Sequence, residues 1–256
     1  MHRLSKAVRV RLAVLALVLL VAAAAVGAAL AGEDGEDELT VYAASSLRDA
    51  FPKIGDATFN FAGSGELQRQ VEAGAPADVF ASASPKEAQA LFGDGRCTRP
   101  VTFATNVLVL LVPRDNPGNV RSVYSLRSGG RRVAVGAPGV PIGDYTRQVL
   151  EDLRLGSILS SNLVSQETEV SSIVSKVALG TADAGFAYVT DAKITSDRVT
   201  TIALPRWAQP PVRYQICRVE RPGANESGAD SFIEDVVGAD GRRVLRAGGF
   251  GLPRGG

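Results

Sequence analysis

The chain has 256 residues and a mass of 26.7 kDa, with 45% hydrophobic and 21% charged residues, which is a globular composition with length for one or two domains. Four of the 28 Lys and Arg lie in the first 31 residues, which leaves 24 cations against 27 acids and no electrostatic reason to bind nucleic acid. Because the only histidine is His2, the chain beyond residue 31 cannot use a Ser-His-Asp triad, a Cys-His dyad or a His-ligated metal.

The N-terminal segment, residues 1–31, has the three parts of an export signal. A basic start precedes an apolar run from Leu12 to Gly32, and Ala29-Leu30-Ala31 is a small-residue cleavage site. Cleavage would leave an acidic linker, residues 32–38, whereas the uncleaved run is also long enough to anchor the chain in a bilayer. Both alternatives place the body outside the cytoplasm. No cysteine follows the run, so we expect no lipid anchor there.

From Leu39 onward, short β-branched runs alternate with amphipathic stretches, which is typical of an α/β protein. The predicted strands are residues 39–44, 58–62, 79–82, 107–112, 132–135, 184–189 and 212–219. The predicted helices are residues 45–51, 66–71, 85–92, 145–153, 170–179, 231–237 and 242–246. No Walker loop or Gly-x-Gly-x-x-Gly motif opens a helix, which argues against nucleotide binding.

Several predicted strands run through Ser or Gly directly into a helix. A helix N-terminus presents unpaired N–H groups and roughly half a positive elementary charge. Several such ends in one cleft would bind an anion without Lys or Arg, at the carboxyl ends of the strands. The alternative is that Ser46 and Ser64 are ordinary N-caps, and Ser46 has Asp49 in the capping-box position.

The chain has two cysteines, Cys97 and Cys217. An even pair in an exported chain predicts one disulfide. The alternative, a reactive thiol, has no histidine to activate it.

Six segments of the body follow one another in a characteristic order. They are residues 41–47 (VYAASSL), 59–65 (FNFAGSG), 74–83 (GAPADVFASA), 103–106 (FATN), 140–145 (VPIGDY) and 182–188 (ADAGFAY). Together they resemble the periplasmic molybdate-binding proteins of ABC import systems, from about Leu39 to the C-terminus.

The resemblance implies a two-lobed periplasmic-binding-protein fold of type II, in which each lobe is a mixed sheet flanked by helices and the ligand lies in the cleft. Lobe I would comprise residues 39–112 and 213–256, and lobe II residues 113–212. Both cysteines then fall in lobe I. The implied function is capture of molybdate, and also tungstate, for a membrane ABC permease by a monomer without enzymatic activity or a cofactor.

The resemblance also implies which residues bind the oxyanion. The protein would bind metal only in the form of this oxyanion. Ser46 and Ser64 would donate from lobe I, Tyr188 would donate its hydroxyl from lobe II, and Ile142 and Val170 would donate backbone N–H groups. Ser45 is an alternative donor to its neighbour. The sequence departs from the family in a short stretch between Phe51 and Thr58, which cuts the first helix to about two turns, and in the bulk of Ile142.

Two other functions stay open. The same fold could bind sulfate or another tetrahedral oxyanion, since the donors are alike and only the cavity size differs. An exported enzyme acting on an anionic substrate would need chemistry without histidine, such as a Ser/Lys pair that uses one of four lysines: Lys53, Lys86, Lys176 or Lys193.

Overall fold

The computed structural model describes residues 38–253, so the predicted export signal lies outside the described residues. Ten strands occur in this range. They are β1 (Thr40–Ala44), β2 (Thr58–Ala62), β3 (Val79–Ser82), β4 (Val101–Thr105), β5 (Leu108–Pro113), β6 (Val133–Gly136), β7 (Leu163–Glu167), β8 (Ala184–Tyr188), β9 (Val199–Ala203) and β10 (Arg213–Arg218).

Eight α-helices and four 3-10 turns lie between or after these strands within residues 38–253. The helices are α1 (Ser64–Glu72), α2 (Pro85–Gly93), α3 (Pro141–Asp152), α4 (Ile158–Ser161), α5 (Val170–Ala178), α6 (Val189–Ile194), α7 (Glu226–Val237) and α8 (Ala239–Gly248). The 3-10 turns are Ser45–Leu47, Phe51–Lys53, Val123–Arg127 and Arg206–Ala208. None of the described helices is both long enough and apolar enough to span a bilayer.

The strands form two five-stranded mixed sheets. The first sheet has the order β2-β1-β3-β10-β4, in which β1 runs parallel to β2 and β3 while β10 is antiparallel to β3 and β4. The second sheet has the order β7-β6-β8-β5-β9, in which β6 runs parallel to β7 and β8 while β5 is antiparallel to β8 and β9. This architecture of two mixed sheets with helices confirms the predicted fold class. We refer to the two halves as the first and second lobes.

Between residues 38 and 253 the chain crosses between the sheets twice, at residues 106–107 and 204–212. The two crossings touch, because Asn106 N–H donates to the Val212 carbonyl at 3.3 Å and the Gln209 amide pairs with both backbone groups of Leu108 at 3.1 and 2.8 Å. The first crossing precedes β5, whereas we expected lobe I to extend to Val112. A continuous apolar run predicts a buried strand but not the sheet that strand joins, so this boundary was misplaced.

The connection after β1 also differs from the prediction. Instead of one short helix it forms two 3-10 turns, Ser45–Leu47 and Phe51–Lys53. Pro52 has no N–H to donate to the carbonyl four residues earlier, so a continuous α-helix would lose a hydrogen bond there. Phe51 is fully buried and packs against Phe103 and Phe232, with ring centroids 5.8 and 5.4 Å apart. The turn therefore contributes to the core of the first lobe.

The predicted disulfide is confirmed. Cys97 and Cys217 are bonded, with their Cα atoms 6.0 Å apart. Cys217 lies on β10, and Cys97 forms a bridge pair with Val219 immediately after that strand. Both cysteines are buried and belong to the first lobe.

Candidate functional site

A small pocket lies between the two lobes and has a volume of about 20 Å³. A buried water needs roughly 10–15 Å³ on the same scale, so the pocket suits a compact ligand. It is lined by Ala44, Ser45, Ser46, Ala62, Gly63, Ser64, Ala83, Val140, Pro141, Ile142, Glu169, Val170 and Tyr188. All five residues predicted to bind the oxyanion, and the alternative donor Ser45, therefore line one cavity.

Ser46 lies in the 3-10 turn after β1 and is buried. The interpretation of Ser46 as an N-cap is wrong, because Ala44 occupies the N-cap position of this turn and makes no side-chain hydrogen bond. The Ser46 hydroxyl instead lies 2.9 Å from the hydroxyl of Tyr214 on β10. The 3-10 turn therefore places the Ser46 side chain between β10 and the pocket.

Ser64 is the first residue of α1, and Gly63 is the N-cap. Its hydroxyl oxygen accepts a hydrogen bond from the Ala83 N–H at 3.1 Å, so its proton remains free to donate. The N-cap interpretation is wrong here too. Neither serine satisfies the backbone of its own helix.

The second lobe brings two helix N-termini to the pocket. Ile142 follows Pro141 at the start of α3, and Val170 is the first residue of α5, with Glu169 as its N-cap. The side chains of Ile142 and Val170 are buried in the core. Their backbone N–H groups lie in the first turn, where a helix leaves its donors unpaired. The side chain of Ile142, which is bulkier than is usual in the family, is therefore accommodated in the core.

Tyr188 ends β8 and is 1% exposed. Its hydroxyl is buried and has no hydrogen-bond partner among the described residues. Burial raises the pKa of this phenol well above its usual value, so the group is a neutral donor at any physiological pH. A buried hydroxyl without a partner is costly, and a pocket-lining one points to a ligand that would accept its proton.

The pocket thus combines hydroxyl donors with three helix N-termini, those of α1, α3 and α5. No lysine, arginine or histidine is among its lining residues. One acid is, since Glu169 lines the pocket and has a buried oxygen without a partner among the described residues. Within residues 38–253 no group of three or more His, Cys, Asp or Glu side chains is placed to hold a metal ion. This chemistry suits a small anion that is bound by neutral donors.

Contacts between the lobes surround the pocket. The ammonium of Lys86 on α2 lies 3.1 Å from the carboxylate of Asp144 on α3. Gly63 lies against the Thr168 carbonyl so closely that a Cβ on Gly63 would overlap that oxygen. The two lobes therefore meet around the space in which a ligand would sit.

No sequence motif indicates a role for Tyr214, which contacts Ser46, or for Asn106, which contacts Tyr214. Asn106 donates to the Tyr214 hydroxyl at 3.2 Å and to the Thr190 hydroxyl at 3.0 Å. Asn106 follows β4, whereas Tyr214 is on β10, over a hundred residues later. Only the pairing of β10 with β4 brings them together, and the sequence carries no signal for that pairing.

Comparisons with known proteins agree with this geometry. Residues 39–251 match the family model described as bacterial extracellular solute-binding protein. The chain is 36% identical over 230 residues, 86% of each chain, to the molybdate-binding protein ModA of Mycobacterium tuberculosis. It is 31% identical to the molybdate-binding protein ModA of Escherichia coli, over 90% of this chain and 96% of that protein.

Solved structures show the same relationship. The periplasmic molybdate-binding protein of Azotobacter vinelandii matches with a TM-score of 0.76 and 26% sequence identity, over 85% of this chain and 100% of that one. Solute-binding proteins are non-enzymatic components of transport systems, in agreement with the expectation that the chain is not an enzyme. The chain belongs to the bacterial extracellular solute-binding proteins and, among them, to the molybdate-binding protein family.

Proposed function

We propose that this protein captures molybdate, and also tungstate, outside the cytoplasm and delivers it to a membrane ABC permease. The observation that carries the proposal is the buried Tyr188 hydroxyl, which has no partner in the described structure and lines a compact pocket together with Ser46, Ser64 and two helix N-termini. The relatives that are named molybdate-binding proteins support this choice of anion.

In this proposal the oxyanion is bound only by donors. Ser46 and Ser64 donate hydroxyl protons from the first lobe, and Tyr188 donates from the second. Ile142 and Val170 donate backbone N–H groups. A fully deprotonated tetrahedral dianion can accept at every oxygen, so each donor is satisfied. Hydrogen phosphate carries an O–H, and an O–H facing a donor leaves both groups unsatisfied.

Sulfate is the strongest competing ligand, because it is also a tetrahedral dianion without a proton. The donors cannot separate the two ions by charge, so selection depends on the distance between the donors of the two lobes. Sulfate is smaller than molybdate and would leave some of these donors too far away. We therefore expect sulfate to bind more weakly.

The placement of donors in both lobes also suggests how the bound state is signalled. Neither lobe can satisfy the anion alone, so the ligand binds the closed arrangement better than an open one and shifts the population toward closure. A permease could then recognise the closed surface. We propose that the protein acts as a monomer, held outside the cytoplasm either free after cleavage of its leader or anchored by it.

Calorimetric titration with molybdate, tungstate, sulfate and phosphate tests the proposal. Wild-type protein should bind molybdate and tungstate tightly, sulfate weakly and phosphate not at all. Hydrogen bonds to a charged group contribute about 1.5–3 kcal/mol, so Ser46→Ala and Ser64→Ala should each weaken molybdate binding about tenfold or more. The exposed Ser160 on α4 is outside the pocket, and Ser160→Ala serves as the control. Absence of molybdate binding by the wild type would refute the proposed function.

A further inference from the structure

A chain of buried hydrogen bonds connects the pocket to the crossing between the lobes. The Ser46 hydroxyl lies 2.9 Å from the Tyr214 hydroxyl, which lies 3.2 Å from Nδ2 of Asn106. The same nitrogen lies 3.0 Å from the Thr190 hydroxyl on α6. Tyr214 and Thr190 are at most 1% exposed, and Asn106 is 6% exposed, so water does not compete for these bonds.

Asn106 sets the direction of the bonds that it makes itself. Its Oδ1 accepts the Val107 N–H at 2.9 Å, which fixes the orientation of the amide. Nδ2 can only donate, and its two protons are directed to Thr190 and Tyr214. The Tyr214 oxygen is therefore an acceptor from Asn106.

The remaining protons are then assigned by elimination. A phenol has one proton, and no acceptor other than the Ser46 oxygen lies within hydrogen-bond distance of the Tyr214 hydroxyl among the described residues. Donation from Tyr214 to Ser46 is therefore the arrangement that leaves this buried proton satisfied. Burial raises the pKa of Tyr214, which keeps that proton on the phenol. Ser46 accepts a hydrogen bond from Tyr214, so the Ser46 hydroxyl proton has no acceptor among these hydrogen-bonded side chains. That proton is available to a ligand in the pocket that Ser46 lines.

We propose that Asn106, acting through Tyr214, is a positioning residue that makes Ser46 a donor toward the pocket and thereby selects unprotonated oxyanions. This inference rests on the proposed function, since it explains how one of its donors is oriented. A serine hydroxyl without such a partner can turn either its proton or a lone pair toward a ligand, and it would then tolerate a protonated oxyanion. The fixed polarity removes that choice.

Tyr214→Phe and Asn106→Asp interrupt the chain in two ways. The first substitution removes only the phenol oxygen. The second keeps an acceptor for Val107 but replaces the donor to Tyr214 with an acceptor, so the Tyr214 proton turns toward residue 106 and Ser46 is released. Each variant should bind molybdate about five- to tenfold more weakly than the wild type. Tyr42→Phe, in a buried tyrosine of β1 outside the pocket, should not change the affinity.

The decisive measurement repeats both substitutions in a Ser46→Ala background. If the chain acts through Ser46, Tyr214→Phe should then weaken molybdate binding less than twofold. Asn106→Asp should retain only the part of its loss that comes from its added negative charge. Equal losses in both backgrounds would overturn the proposal, because they would indicate a general structural or electrostatic effect.

Competition provides a readout that a structural role would not change. Inorganic phosphate should compete with molybdate at least fivefold better in Asn106→Asp and Tyr214→Phe than in the wild type, and an unchanged ratio would contradict the inference. Thermal unfolding verifies that each variant is folded. If the Asn106→Asp variant does not fold, the Tyr214→Phe variant alone tests the inference. Molybdate binding by the wild type without coupling to Ser46 would refute only this inference, whereas no binding by the wild type would refute the proposed function.

Discussion

The Tyr188 phenol is the residue that most clearly separates stability from binding. Its hydroxyl is buried without a partner among the described residues, which costs the folded protein part of the hydration energy of that group. In the proposed complex the same hydroxyl gains an anionic acceptor. A group that is unfavourable without ligand and favourable with it is a group kept for binding.

Tyr188→Phe should therefore weaken molybdate binding about tenfold and leave thermal stability without ligand unchanged or slightly higher. The ring contact with Tyr214, whose centroid is 6.0 Å away, is retained by phenylalanine. Calorimetry and thermal unfolding measure the two effects. A lower melting temperature together with unchanged affinity would assign Tyr188 a structural role instead.

Asp191 is a buried acid just behind Tyr188, and it should make stability depend on pH. Its carboxylate accepts the Tyr188 N–H at 3.1 Å, but burial raises its pKa to about 7. Between about pH 4 and pH 7 the unfolded chain loses this proton while the folded protein keeps it, so the free energy of unfolding falls as pH rises. Above pH 7 the full penalty is present.

Asp191→Asn should remove this slope, because the amide still accepts the Tyr188 N–H and carries no charge. One unit of pKa corresponds to about 1.4 kcal/mol, so the variant should be more stable than the wild type at pH 8 by up to a few kcal/mol. Denaturant unfolding at pH 4.5 and pH 8 measures the difference. The control is Asp197→Asn at an exposed position, and equal slopes in all three proteins would contradict the assignment.

At the scale of elements, the approach of α1 to the loop before α5 depends on a glycine. Gly63 has ordinary extended angles, φ −67° and ψ 136°, which any residue adopts. Its backbone conformation therefore does not require glycine. The lack of a Cβ matters because a methyl group there would overlap the backbone carbonyl of Thr168 in the other lobe.

Gly63→Ala should consequently prevent full closure of the lobes while leaving each lobe intact. We expect molybdate affinity to fall tenfold or more and the melting temperature without ligand to change little. Gly65→Ala is the matched control, since the nearest atom to a Cβ there, the Gly139 carbonyl oxygen, is 3.4 Å away and can be accommodated. Solution scattering should show compaction on adding molybdate in the control but not in Gly63→Ala. Compaction in both would show that this contact does not limit closure.

At the scale of the whole molecule, the disulfide fixes the first lobe across the insertion of the second. Every strand of the second sheet lies between Cys97 and Cys217 in sequence, 120 residues apart. Closing so long a loop stabilises a protein by up to about 4–5 kcal/mol when the unfolded chain is treated as flexible. Neither cysteine lines the pocket.

Replacing both cysteines by alanine should therefore lower the free energy of unfolding by a few kcal/mol while molybdate affinity in the folded protein stays within twofold. Denaturant unfolding and calorimetry measure the two quantities, and reduction of the wild type should reproduce the loss of stability. A stable double variant with weakened binding would contradict this separation.

Elements with strong local signals could be predicted from the amino-acid order alone. The strand Val79–Ser82 was predicted with its observed bounds, and the helix beginning at Pro85 was predicted because proline fits a first helical turn. The edge strands β4, β7 and β9 were missed, since an edge strand needs few buried residues and has a weak apolar pattern. Motif order was sufficient to predict the fold and the residues that line one pocket.

Features that depend on contacts between distant segments could not be predicted in this way. The sheet that β5 joins is set by its pairing with β8 and β9, and its apolar run would suit either sheet. Whether Ser46 caps a helix or faces Tyr214 depends on the position of β10, a strand from the end of the chain. Hydrogen bonds have direction only when both partners are placed, and therefore the polarity of the site was decided by the fold and not by the motif.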